Sequence, residues 1–103
     1  MTIDAAAASR HFKIQGNSVS TISDLTLANG SVEETAFGGA VYAVGVGTNL
    51  TLSGVTIRGS RAGYGGAIFV YGGAHITLRD GTFLTDNFAD HRGGALYVYG
   101  EGT

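Results

Sequence analysis

The densest cluster of residues able to do chemistry is Asp86-Asn87-Phe88-Ala89-Asp90-His91-Arg92. It offers two carboxylates, an imidazole and a guanidinium, the components of general acid–base cleavage of an anionic substrate. Asp90, His91 and Arg92 are its candidates for a catalytic set. At the corresponding place one repeat earlier stands Gly59-Ser60-Arg61-Ala62-Gly63-Tyr64, with no acid at all. A solvated connection explains the cluster with fewer assumptions, because connecting segments are polar whether or not they carry function. The favoured expectation is a chain without catalytic activity.

A second group is aromatic. Tyr42, Phe69 and Tyr97 recur at an almost constant interval, and Tyr71 and Tyr99 follow the latter two. Aromatic faces in a line can stack on sugar rings or hold a protein partner, so these five residues are the candidate binding surface. Stacking for stability alone is the plainer alternative. Threonines give two further columns, Thr21/Thr51/Thr77 and Thr26/Thr56/Thr82. A flat threonine array could order water at an ice surface, but ladders of β-branched residues also stabilise any stacked sheet. Asp24 and Asp80 occupy equivalent breaks, with Gly54 between them, and aspartate bonding its own backbone accounts for both. No metal site and no cofactor is expected. Asn49-Leu50-Thr51 and Asn29-Gly30-Ser31 fit the N-glycosylation pattern, which matters only in a eukaryotic secretory host.

These columns exist because the sequence repeats. Gly38-Gly39-Ala40-Val41-Tyr42, Gly65-Gly66-Ala67-Ile68-Phe69 and Gly93-Gly94-Ala95-Leu96-Tyr97 recur in register. Their period of about 27 residues lies in the range of solenoid repeats. Between them recur Thr21 to Leu27, Thr51 to Ile57 and Thr77 to Phe83, at less even spacing, so the length variation falls in the connections. Within each unit, runs such as Leu50-Thr51-Leu52 and Val55-Thr56-Ile57 alternate apolar and polar and break at glycine or small polar residues. That pattern reads as three short strands per coil. Such strands cannot bury their apolar side alone, so the units must stack about 4.8 Å apart. Crossovers between parallel strands are almost always right-handed. The expected fold is an all-β, right-handed parallel β-helix, a β-solenoid of about four coils. The paired glycines Gly38-Gly39, Gly65-Gly66 and Gly93-Gly94 fit sharp corners, where glycine adopts positive φ at little cost. Val41/Ile68/Leu96 are expected to face inward and the aromatics outward.

Composition agrees with this reading. The 103 residues include 18 glycines, no proline and no cysteine, while 44% are hydrophobic. The chain is long enough for one core, so residues 1–103 form a single domain, with 1–15 an entry coil or N-terminal cap and 16–103 repeating coils. Six basic against eight acidic residues leave a net charge near −2, which gives no basis for binding nucleic acid. Without cysteine there are no disulfides and no thiol chemistry. No apolar run is long enough to span a bilayer, and no secretory signal opens the chain. The four alanines of Ala5 to Ala8 could cover one end; the strand before Gly100-Glu101-Gly102-Thr103 has no cover after it. Self-association through open coil ends is therefore expected.

The Gly-Gly-Ala-Ile signature at Gly65 to Ile68, with variants at Gly38 to Val41 and Gly93 to Leu96, resembles the repeats of polymorphic outer-membrane proteins. More widely it is similar to the pectin-lyase-like β-helix family. Phe83 and Asn87, and Ile57 with Ser60, approximate the companion phenylalanine–asparagine element, and Ile3-Asp4 through Ile14 resembles an entry coil. The resemblance implies a structural or adhesive module of a secreted or surface-displayed bacterial protein, with a glycan or a surface protein as partner. It also implies two alternatives, a polysaccharide-cleaving remnant or an ice- or glycan-binding solenoid. Enzymes of this family gather acids from neighbouring coils onto one groove, often with calcium.

Overall fold

Alternating runs become strands whose apolar side chains meet across a narrow interior. The computed structural model describes residues 2–4, 10–15, 17, 19–32, 36–79, 81–92 and 94–99. The chain opens with β1 (Thr2–Asp4), β2 (Phe12–Ile14), β3 (Val19–Ser23) and β4 (Thr26–Ala28). It continues through β5 (Val41–Val44), β6 (Asn49–Ser53), β7 (Thr56–Arg58) and β8 (Arg61–Tyr64). Then come β9 (Ile68–Tyr71), β10 (His75–Arg79), β11 (Phe83–Thr85), β12 (Phe88–Arg92) and β13 (Leu96–Tyr99). None of the described residues is helical.

All strand pairings are parallel. Four walls result: β2–β5–β9–β13, β3–β6–β10, β1–β4–β7–β11 and β8–β12. Each circuit visits the walls in the same order, so like residues superpose. Phe12, Val41, Ile68 and Leu96 form one column, and Ile22, Leu52 and Leu78 another. The molecule is a parallel β-solenoid of about three turns. A continuous core of Leu27, Val41, Leu50, Leu52, Val55, Ile57, Ile68 and Val70 runs up its middle. The outermost coil is barer: Leu78 and Val98 are 42% and 44% exposed, where Leu52 and Val70 beneath them are fully covered.

The fold class is as expected, with two differences in detail. The column Phe12, Val41, Ile68, Leu96 has four members but encloses only three turns, rather than about four. The second and third turns also hold four short strands, not three, while the first has isolated bridges at Ser31 and Phe37 in place of the fourth. The additional wall is the stretch expected to be a connection, Arg61–Tyr64 and Phe88–Arg92. It lacks aliphatic alternation because the interior is pinched there, so that Ala62 and Gly63 are the residues buried.

The double glycines explain the pinch, and the two members of each pair serve different ends. Gly38 and Gly65 have φ of 64° and 62°, the left-handed turn expected of them. Gly39 and Gly66 do not. They are glycine for want of space: a Cβ on Gly66 would land on the Gly94 carbonyl oxygen and stand 2.6 Å from that of Phe88. A Cβ on Gly39 would land on the Gly66 carbonyl and stand 2.7 Å from that of Arg61. At this level the turns at Gly39 and Gly66 touch the starts of β8 and β12 backbone to backbone. Gly94 has open space around it; Gly93, Asp80, Ala5 to Ala8 and Gly100 to Thr103 lie outside the described residues.

Register corrects two alignments. Thr26 pairs with Thr56, but Thr56 pairs with Phe83, so Thr82 leaves the second threonine column. The connection before β11 is one residue longer than that before β7, which slips the sequence match by one. The Thr82 hydroxyl instead donates to the Leu52 carbonyl (3.2 Å). For the same reason Leu84, not Phe83, is the partner of Ile57, and Asn87 follows it by three residues. The Asn87 amide closes that corner: Nδ2 donates to the Ile57 carbonyl at 3.0 Å, and Oδ1 accepts from the Ser60 N–H at 2.9 Å.

Candidate functional site

Strand alternation sends Val41, Ala43, Ile68 and Val70 into the core and Tyr42, Phe69 and Tyr97 to the outer face of the β5–β9–β13 wall. The three rings run up the solenoid with centroids 5.4 and 5.3 Å apart, both pairs edge-on. Tyr71 and Tyr99 form a neighbouring stacked pair at 5.5 Å, reached from Phe69 and Tyr97 at 6.0 Å each. Edge-to-face and offset stacking are the favoured arrangements of ring quadrupoles. Phe69 is only 3% exposed although it points away from the core; other rings cover it.

Two of those rings were not among the candidates. Phe37 lies 4.5 Å from Phe69 and 6.0 Å from Tyr42, and Tyr64 lies 5.2 Å from Phe37 and 5.9 Å from Tyr97. Their signal is present in the sequence: each directly precedes a double glycine, and they sit one repeat apart. Phe37 and Tyr64 bridge in parallel, and the left-handed turn at Gly38 and Gly65 follows each of them at once. The turn folds one wall's last side chain against the next wall's outer face. The result is a concave aromatic groove of about 380 Å³ where the two walls meet.

Cations border it. At the N-terminal end the Arg10 guanidinium lies 5.1 Å and the Lys13 ammonium 5.6 Å from the Tyr42 ring centroid, within cation–π reach. Arg10 is held there by donating to the carbonyls of Phe37 (2.7 Å) and Gly38 (3.2 Å). At the other end the His91 ring lies 5.1 Å from Tyr64, and Arg92 pairs with Tyr64 across β8 and β12.

Asp90 and His91, two of the catalytic candidates, turn to different partners. A bulge in β12 falls between Ala89 and Arg92, where both stand. Asp90 receives Arg61 Nη2 at 2.7 Å and Nε at 3.4 Å, while His91 turns to Tyr64. Arg61 also lies over the Phe88 ring at 5.0 Å. The hydrogen bonds from Arg61 hold the Asp90 carboxyl below its ordinary range; desolvation opposes them, and the charges of Arg61 and His91 add to the lowering. A carboxylate so held is a poor proton acceptor at neutral pH. Because the folded-state pKa is lowered, the pair stabilises the fold above the ordinary carboxylate range and loses that effect as pH falls through the lowered pKa. Asp90→Asn is therefore expected to lower the melting temperature slightly at neutral pH and to match the parent in acid. An equal deficit at both pH values contradicts it.

The threonine column Thr21/Thr51/Thr77 runs along the outside of the β3–β6–β10 wall. It is flanked by Ser23 and Ser53 but then by Arg79, and His75 follows Val19 and Asn49 on its other side, so the hydroxyl plane is interrupted. Asp24 and Gly54 take the left-handed turn at φ 54° and 63°. Among the described residues no three His, Cys, Asp or Glu side chains stand close enough together to share a metal ion. Comparison of the chain with protein families, curated proteins and solved structures finds no match, so the aromatic groove and its bordering cations are the features on which a functional reading rests.

Proposed function

We propose that this chain is a non-catalytic, adhesive segment of a surface-displayed β-helix, and that it makes contact through the aromatic groove. The observation that carries the reading is the groove itself: seven rings brought together from coils far apart in sequence, Phe37 to Tyr99, on a rigid stacked wall. A stability device alone would need only the Tyr42/Phe69/Tyr97 column. The added rings Tyr71 and Tyr99 are 39% and 55% exposed, and exposed aromatic surface is a recurrent mark of contact sites. The Gly-Gly-Ala recurrence, which resembles repeats of polymorphic outer-membrane and pectin-lyase-like proteins, supports an extracellular or cell-surface setting. The pairing of Asp90 with Arg61 favours adhesion over polysaccharide cleavage.

Two measurements test this. Incubation with acidic polysaccharides and calcium is expected to release no products; release that Asp90→Asn abolishes would overturn the reading. Arrays of glycans and of peptides, probed with the chain and with a Tyr71→Ala/Tyr99→Ala variant, are expected to show binding that the variant loses. Both side chains are exposed enough that the variant keeps its fold. Binding that the variant retains in full would remove the groove from the function.

A further inference from the structure

We infer that the occupant of the groove is a proline-rich peptide in the polyproline II conformation with an acidic residue at one end; this rests on the adhesive reading above. The donor and acceptor balance is the first argument. The lining is phenylalanine and tyrosine throughout, so the side-chain polar atoms it offers are phenol hydroxyls. A sugar presents a rim of hydroxyls that each need donors and acceptors, usually from carboxylates and carboxamides, and none lines this groove. A polyproline II segment presents apolar rings and backbone carbonyls, and leaves few N–H groups to satisfy. Rings to pack on and hydroxyls that donate are what the groove supplies, and aromatic-lined grooves are a recurring way of holding such segments.

Spacing is the second. A polyproline II helix repeats about every 9 Å, three residues at roughly 3.1 Å each. Two coil separations of the solenoid come to roughly 9.5 Å. Prolines three residues apart would therefore meet the rings of alternate coils, Tyr42 and Tyr97, with Phe69 between them as the floor. Phe69, 3% exposed and clamped by its neighbours, makes that floor rigid, so neither partner has much order to lose on binding.

Charge is the third. Lys13 and Arg10 stand at one end of the groove, against the Tyr42 ring, while Asp90, on the strand beside its other end, is engaged by Arg61. The chain as a whole is acidic, with net charge −2, so this concentration of cations is local. It selects glutamate or aspartate at the end of the proline segment that lies against Tyr42 and disfavours lysine there.

The test is calorimetric titration of the chain with a synthetic peptide of about nine residues, carrying prolines at every third position and a glutamate at one end. It is expected to bind, and the same peptide with alanine for proline to bind at least about tenfold more weakly. Tyr71→Ala/Tyr97→Ala should cost at least about tenfold. Lys13→Glu, on an exposed side chain, should weaken the glutamate-ended peptide about fivefold and improve a lysine-ended one. Equal affinity for the proline and alanine peptides, or no binding of either, overturns the inference. Neutral and acidic oligosaccharides serve as the competing arm: if one of them binds and the tyrosine variant loses it, the adhesive reading stands and the peptide inference falls.

Discussion

Replacing Gly66 by alanine is expected to unfold the chain or to cost about 4 kcal/mol or more, a large share of the stability of a domain this size. The added methyl would meet the Gly94 and Phe88 carbonyls, which are backbone atoms that no rotamer change can move aside. Relief requires separating this coil from the following one, which breaks the bonds from the Ala67 and Ile68 N–H groups to the Ala95 carbonyl. Two other glycines calibrate the effect. Gly94→Ala, in the equivalent position of the last coil with nothing near the new methyl, should change stability by no more than about 0.5 kcal/mol. Gly81→Ala, also in open space but at φ 76°, should cost about 1 kcal/mol from backbone strain alone. Urea unfolding followed by circular dichroism separates the three. Equal stability of the Gly66 and Gly94 variants would mean that the Gly66 turn does not touch Phe88 and Gly94.

Phe69→Ala has the second largest expected effect, about 3 to 4 kcal/mol. That is the cost of emptying a core position, yet Phe69 lies outside the core, and the loss would come from the ring cluster against Phe37, Tyr42 and Tyr97. The comparison is Phe83→Ala. Phe83 is 60% exposed on the β11 strand and should be worth no more than about 0.5 kcal/mol. Thermal or urea unfolding distinguishes the pair. Similar, small effects would show that Phe69 is solvated and that the groove has no firm floor.

Much of this was legible in the sequence because stacked coils force equivalent residues into equivalent environments. The column Val41/Ile68/Leu96 announced both its repeat and its facing, since branched aliphatics suit a narrow interior and alternation then sends the aromatics outward. Two things were hidden. The β8–β12 wall carries no alternating aliphatics, because Gly39 and Gly66 press against Arg61 and Phe88 and leave room inside only for Ala62, Gly63 and their equivalents. And one extra residue before Phe83 moved Thr82 out of its apparent column, a slip invisible until backbone pairing fixes which atoms are opposite. For the candidate site, the five rings of the β5–β9–β13 wall were legible from strand alternation. Phe37 and Tyr64 were not, because they belong to a different wall and come close only through the left-handed turn at the following glycine. The different partners of Asp90 and His91 go with a bulge, which has no signature in residue type.

The most direct test is the set of nuclear Overhauser contacts made by the Phe69 ring. With coils superposed in parallel register and this side chain outside, its protons should show contacts to the rings of Phe37, Tyr42 and Tyr97, whose centroids lie 4.5, 5.4 and 5.3 Å away. Contacts from Phe69 to the methyls of Leu52, Ile57 and Val70, with none to those three rings, would place it in the interior and leave no groove to bind anything.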